Sequence, residues 1–366
     1  MIKKYLCSIF LAAAVFLLPG IPTWAAQPAH TKADGDSRIQ SAPQAAATNK
    51  ASGFYHKLST GKSVRIAILG DSIADKTGAD PSQTWDALLC DWLTEKYPSK
   101  ITVDNYAIGG TTSYTGYYQC ETSMRTAIKK SGSYDLVIIC YGQNDAAENF
   151  SLYYEGMLRS AKKQNPSCQF ITILESSQQV YTEKMLEIIR LSGLYGADVA
   201  DTISAFFASG FSYEQLTPDG THPNAEGHRI YFEAIRSIIE SNIANGKAVP
   251  VLPAASSLYM TLFEDFSFTP LSEYKIADGQ YVFTTAAPML GIVFRKYPGG
   301  SDIRLDFSTG EAWADTGNTA IQKEWTTAAP IGLVVAPGTT ITLSDTDGTI
   351  EKTVAGFILS GHLPEE

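Results

Sequence analysis

The sequence predicts an α/β domain built on a parallel five-stranded sheet, followed by a small all-β domain. Two observations carry this reading. Five short apolar or β-branched runs, at 64–69, 101–107, 136–141, 170–174 and more weakly 197–200, alternate with longer helical patterns, as expected of a parallel sheet covered on both faces. Beyond residue 247 the texture changes to short β-rich runs without an amphipathic helix. At 366 residues and 44% hydrophobic content the chain has enough material for two cores.

Taken in order, Lys3 and Lys4 precede an apolar run at 5–18, and Pro19, Pro22 and the small residues Ala25 and Ala26 follow it. This is the layout of an export signal over residues 1–26, cleaved after Ala25 or Ala26. The run is shorter than the roughly 20 apolar residues of a membrane span, so a secreted, periplasmic or cell-envelope protein without a span in the mature chain is expected. Residues 27–52 are rich in Ala, Gln, Ser and Thr without periodicity and read as a flexible tether.

The α/β domain is assigned to residues 53–247. Trp85, Leu88, Leu89, Trp92 and Leu93 fall on one helical face, as do Tyr231, Ala234, Ile235, Ile238 and Ile239 in a last helix ending near Asn245-Gly246. A linker at 248–256 leads to residues 257–366. There, runs at 280–284, 291–294, 331–335 and 339–343 are separated by turn signals such as Pro298-Gly299-Gly300 and Asp347-Gly348, which predicts a β-sandwich or jelly-roll.

Loss of Lys3 and Lys4 with the signal takes the formal charge from -10 to about -12. With no basic cluster interleaved with aromatics, a nucleic-acid partner is excluded. Four cysteines remain (Cys90, Cys120, Cys140, Cys168). An oxidising compartment permits up to two disulfides among them, in any of three pairings, while Cys140 closes an apolar run and also reads as a buried small hydrophobe. No Cys/His spacing suits zinc, and no metal or cofactor is expected.

Ser72, in Leu69-Gly70-Asp71-Ser72, sits where the first strand ends, and open parallel sheets bind ligands beyond the carboxyl ends of their strands. Gly-Asp-Ser is also an ordinary turn and cap sequence, so its meaning depends on partners. A serine hydroxyl needs a base, and histidine is the side chain suited to that at neutral pH. Of five histidines, His30 lies in the tether, His56 precedes the first strand, His362 is near the C-terminus and His228 lies within the last helix. His222 remains, in a Pro- and Gly-containing loop with Asp219 three residues earlier to orient it. Donors for an oxyanion are available after the second strand, at Gly109-Gly110, and after the third, at Asn144.

With these pieces in place the sequence resembles the SGNH/GDSL hydrolase family, whose four motif blocks match in order over about residues 63–245. The resemblance implies a flavodoxin-like three-layer α/β/α domain and a Ser-His-Asp esterase. Ser72 resembles the nucleophile, His222 the base and Asp219 its orienter, with the Ser72 amide, Gly110 and Asn144 as the oxyanion hole. Gly110 is preferred to Gly109 because it follows Asn105 by five residues, as in the family's Asn-x-x-x-x-Gly. Ile73-Ala74 departs from the family's usual Leu or Ile-Thr after the serine.

A secreted enzyme of this family with an appended β-domain resembles carbohydrate esterases that remove O-acetyl groups, so an acetylated glycan is the expected substrate. Glu175, at the end of the fourth strand, and Tyr114, with Tyr117 and Tyr118, are candidates to line the cleft. Trp313 and Trp325 are candidate sugar platforms in the β-domain, with packing as their default role. A lipid esterase, a polysaccharide O-acetyltransferase and a non-catalytic polysaccharide-binding protein are the alternatives.

Overall fold

Strand β1 (Val64–Gly70) is flanked by β2 (Ile101–Asn105) and β3 (Leu136–Cys140), and β4 (Gln169–Leu174) and β5 (Asp198–Asp201) extend the sheet in the order β2-β1-β3-β4-β5, all parallel. This flavodoxin-like order reverses direction between β1 and β3, opening a crevice at their carboxyl ends. The computed structural model describes residues 47–48, 53–277, 280–285, 288–310, 312–315, 323–332, 335, 338–345 and 348–362. The expected export signal lies outside the described residues. So does the tether apart from Ala47–Thr48, which pairs with Val249–Pro250.

The apolar runs of β1, β3 and β4 are continuous because these strands are covered on both faces, and their alternate residues divide between two cores. Ile66, Ile68, Leu136, Ile138, Ile171 and Ile173 face helices α1 (Phe54–Ser59), α2 (Trp85–Lys96) and α9 (Ala225–Asn245). Ala67, Leu69, Val137, Ile139, Phe170 and Leu174 belong to the opposite core. There α3 (Ser113–Gln119), α5 (Phe150–Gln164) and α6 (Glu183–Tyr195) supply Tyr114, Tyr117, Met157, Leu158, Ile188 and Leu191. A turn of π-helix at Cys120–Met124 links α3 to α4 (Arg125–Ser131). Helices α7 (Thr202–Ala208) and α8 (Tyr213–Leu216) lie between β5 and α9. Asn224 caps α9 by accepting from the Gly227 N–H at 3.1 Å, and Gly246 ends it in the left-handed conformation that glycine adopts without penalty.

The C-terminal region is a sandwich of two antiparallel sheets. Strands β6 (Ser267–Pro270), β9 (Met289–Lys296), β12 (Trp325–Gly332) and β14 (Val354–Ser360) form one, in the order β12-β9-β14-β6. Strands β7 (Lys275–Ala277), β8 (Gln280–Thr284), β10 (Ile303–Phe307), β11 (Ala312–Asp315) and β13 (Thr340–Asp345) form the other, in the order β11-β10-β13-β8-β7. Of the strand expected at 331–335, Ile331 and Gly332 belong to β12, and residues 333–334 lie outside the described residues.

The four-stranded sheet is buried on both faces. Leu290, Ile292, Phe294 and Phe357 close the sandwich core, whereas Met289, Val293, Ala328 and Ile358 pack into the α/β domain. Two backbone-level locks fix this docking. The Thr115 hydroxyl donates to the Ala328 carbonyl at 2.9 Å and accepts from the Ala328 N–H at 3.3 Å. Gly291 stands where a β-carbon would lie 2.1 Å from the Tyr114 hydroxyl. An interface this apolar holds two domains as one body.

Tyr114 is therefore corrected from a cleft residue to a wholly buried one at the domain interface. Tyr117 packs against Phe263 and Phe266, and Tyr118 against Phe266 and Phe268. Trp313 lies against Phe294 at the edge of the sandwich core. Cys90, Cys120, Cys140 and Cys168 are free thiols, the last three of them buried. Among the described residues no helix is long and apolar enough to cross a membrane.

Candidate active site

Gly70 ends β1 where a side chain could not fit: a β-carbon would lie 2.8 Å from the Cys140 carbonyl and 2.6 Å from Ala74 Cβ. The chain then turns tightly, with the Ala74 and Asp75 N–H groups donating to the Asp71 carbonyl. Asp71 Oδ1 accepts from the Ile73 N–H at 3.0 Å. Ser72 is left half-buried at the mouth of the crevice.

His222 arrives from the loop before α9. Asp219 Oδ1 accepts from the N–H groups of Thr221 and His222 at 2.9 and 2.7 Å, folding the loop into a turn in which Gly220 takes φ +83. This leaves Asp219 Oδ2 to meet His222 Nδ1 at 2.6 Å, while His222 Nε2 lies 2.8 Å from Ser72 Oγ. Partial burial works to raise the Asp219 carboxyl, but the bonds from the His222 ring and from the His222 and Thr221 N–H groups outweigh it and hold the group at about 2. An ionised Asp219 fixes the tautomer: Nδ1–H donates to it, and Nε2 accepts from the serine hydroxyl. The structure thus brings Ser72, His222 and Asp219 into one relay.

The donors around Ser72 sort by what they already bind. The Gly109 N–H is spent on Asp75 Oδ2 at 3.1 Å. Among the described residues the N–H groups of Ser72 and Gly110 have no intramolecular acceptor, which makes Gly110 the open donor of its loop. Asn144 reaches the same rim from the loop after β3. Its amide donates to Asp71 Oδ2 at 3.1 Å and to the Thr111 carbonyl at 3.0 Å.

Glu175 is corrected from a cleft residue to a support beneath the site, with no exposed surface. Its Oε2 accepts from the Gln143 N–H at 2.6 Å, and its Oε1 lies 3.4 Å from Cys140 Sγ. Burial pushes the carboxyl up to about 7 against those two bonds. Asp71 is also raised well above the ordinary carboxylate range, by burial and then by the Glu175 charge. Lys184 donates to the Gly142 carbonyl and, at 2.7 Å, to that of Asp145, bracing the loop that carries Asn144.

Two residues at the site, Asp75 and His228, carry functions that the sequence does not announce, and a third, Trp325, stands where the sequence alone could not put it. Asp75 holds the Gly109 N–H. Buried His228 accepts from the Trp85 N–H at Nδ1 (3.3 Å) and donates from Nε2 to the Thr77 carbonyl (3.1 Å), tying α9 to the serine loop. Trp325, at the start of β12, lies beside the oxyanion loop: a β-carbon on Gly110 would sit 3.5 Å from its Cζ2. The Trp325 indole nitrogen is buried without a partner. Trp325 is one of the two tryptophans singled out as candidate sugar platforms, with packing as the default role.

Among the described residues no group of three or more His, Cys, Asp or Glu side chains is placed to hold a metal ion. The arrangement is one that can activate a hydroxyl and stabilise an oxyanion.

Residues 68–230 match the model of the GDSL-like lipase/acylhydrolase family. No curated protein matches the chain significantly. Among solved structures, a two-domain esterase (CEX) active on acetylated mannans, co-crystallised with mannopentaose, is similar with a TM-score of 0.67 at 17% identity. The similarity covers 84% of this chain and 94% of that one. Axe2, an acetylxylan esterase from Geobacillus stearothermophilus, aligns with a TM-score of 0.41 at 21% identity, over 50% of this chain and 96% of its own.

Proposed function

We propose that this chain, whose residues 68–230 match the GDSL-like lipase/acylhydrolase family, is a carboxylic ester hydrolase, an exported Ser-His-Asp esterase removing O-acetyl groups from a polysaccharide. The observation that carries the mechanism is the continuous contact Ser72–His222–Asp219, with bonds of 2.8 and 2.6 Å. Ser72 Oγ attacks the ester carbonyl as its proton passes to His222 Nε2, and Asp219 stabilises the imidazolium. The N–H groups of Ser72 and Gly110 receive the oxyanion, and the amide of Asn144 is the third donor. His222 then protonates the leaving alcohol. Water, deprotonated by His222, attacks the acyl-enzyme, and acetate leaves as Ser72 recovers its proton.

The β-domain supports a carbohydrate as the alcohol. It places the Trp325 indole ring beside Gly110, and aromatic rings are platforms on which sugar rings bind. The fold is shared across both domains with an esterase active on acetylated mannans. Export rests on Lys3, Lys4 and the apolar run at 5–18. Sequencing the N-terminus of protein recovered outside the cytoplasm should find a start at Ala26 or Gln27.

The substrate test is acetate release from acetylated mannan, xylan and pectin, beside a series of simple esters of increasing acyl length. The proposal expects release from at least one polymer and a steep decline beyond acetyl. Preference for long acyl chains would point to a lipid esterase, and acetyl appearing only on an added glycan acceptor to a transferase.

A further inference from the structure

Beneath Ser72 and Asn144 lie two carboxyl groups that the acyl-transfer steps do not use. Asp71 and Glu175 have no exposed surface. They come from the ends of β1 and β4 and meet under the loop of Asn144. The backbone of Gly142 passes close over Glu175: a β-carbon there would lie 2.6 Å from Met185 Cε and 3.3 Å from Glu175 Oε2. Each carboxyl grips this loop or its neighbour: Glu175 through the Gln143 N–H at 2.6 Å, Asp71 through the Asn144 amide at 3.1 Å. The charged groups facing the pair are Asp145, itself bonded to Ser113, and Lys184, bound to the Gly142 and Asp145 carbonyls.

The Asn144 amide has two hydrogens, and at rest both are engaged, by Asp71 and by the Thr111 carbonyl. Asn144 can serve an oxyanion only by turning one of them away. How easily it turns depends on Asp71, because a bond to a carboxylate is roughly twice as strong as one to a neutral acid. Two carboxyls buried together cannot both ionise, so one proton stays between them. With the proton on Asp71 and its O–H directed to Glu175, the hold on Asn144 is the weak one.

We propose that Asp71, backed by Glu175, is a positioning residue for Asn144, keeping its amide poised at rest and releasing it to the charge that develops on the substrate oxygen. The inference rests on the ester-hydrolase reading. Replacing Glu175 with glutamine gives Asp71 an amide donor that favours its carboxylate, which tightens the hold. Replacing Asp71 with asparagine removes the carboxyl altogether.

The test is a double-mutant cycle on a soluble acetyl ester, with kcat and KM measured separately for Glu175→Gln and Asp71→Asn, each alone and combined with Asn144→Ala. Asn144→Ala alone should lower kcat about 10²-fold or more. Each carboxyl variant should lower kcat about tenfold with KM within about twofold, and by less than about twofold where Asn144 is already alanine. If one carboxyl variant fails to give a cooperative thermal transition, the other decides. Equal losses in both backgrounds would overturn the proposal, as would a loss confined to KM or an undiminished rate in Asn144→Ala. A wild-type protein inactive on every ester would instead overturn the ester-hydrolase reading, so the two failures are distinct.

Discussion

Gly78 presses directly on the loop of His222: a β-carbon at position 78 would lie 2.9 Å from His222 Cβ and 2.4 Å from the Pro223 carbonyl, at a φ of +98. The serine loop and the histidine loop are thus seated on each other through a residue with no side chain. Gly78→Ala is expected to displace His222 and lower kcat about 10- to 100-fold, since misplacement by about 1 Å can cost as much. Steady-state kinetics on a small acetyl ester checks this. Wild-type kcat in a folded variant would show that the two loops move independently.

Tyr114 and Gly291 make the domain interface. A chain truncated after Pro253 uncovers Tyr114, Tyr117 and Met157, which the β-domain otherwise buries. The truncated protein should be aggregated or lack a cooperative transition in size-exclusion chromatography and thermal melts, because an apolar patch of this kind is not tolerated on a monomer. A soluble, fully active α/β fragment would contradict the interface.

The Tyr114 hydroxyl itself is buried without a partner. Tyr114→Phe removes that unpaired group and keeps the ring, and should raise stability by about 1 kcal/mol with unchanged kinetics. A lower melting temperature would mean that the hydroxyl is satisfied.

Trp325 separates binding of the alcohol from chemistry on the acyl group. Trp325→Ala should change kcat/KM on a minimal acetyl ester by less than about threefold, while raising KM on an acetylated oligosaccharide about tenfold, as for a buried aromatic anchor. Trp325→Phe, which keeps a ring and loses the N–H, should lie between. Equal losses on both substrates would indicate that the ring only packs the oxyanion loop.

The pH dependence of stability should carry the mark of Glu175. Its folded-state value of about 7, raised by burial from an ordinary 4.5, means that the native state binds the proton more tightly than the unfolded chain. That contribution is fully present below about pH 4.5 and is lost as pH rises through 7. Wild-type melting temperature should therefore fall across this window more steeply than that of Glu175→Gln. Parallel curves would contradict the assignment.

Much of this molecule is legible in its sequence because the deciding contacts are local or periodic. The runs at 64–69 and 136–140 divide their alternate residues between two cores, and the strand ends follow from where those runs stop. Asp219 and His222 are three residues apart, so the turn that joins them is written in one loop. Sequence and structure part where burial depends on a distant partner. Tyr114 looks like an exposed loop aromatic until Gly291 and β9 cover it. Glu175 stands at a strand end, where cleft-lining and buried residues are equally at home, and its partners Gln143 and Cys140, brought by the neighbouring strand and its loop, hold it inside. Asp71 shapes the local turn through Oδ1, while its other oxygen meets the Asn144 amide, a pairing made only when β1 and β3 come together. Trp325 gains its place beside Gly110 only through the docking of the two domains.

The most direct test of the central claim is hydrolysis of a simple acetyl ester by the wild-type protein and by Ser72→Ala, both checked for folding by thermal melt. With Ser72 as nucleophile, the variant should lose about 10⁴-fold or more in kcat. Equal rates in the two proteins would contradict the claim.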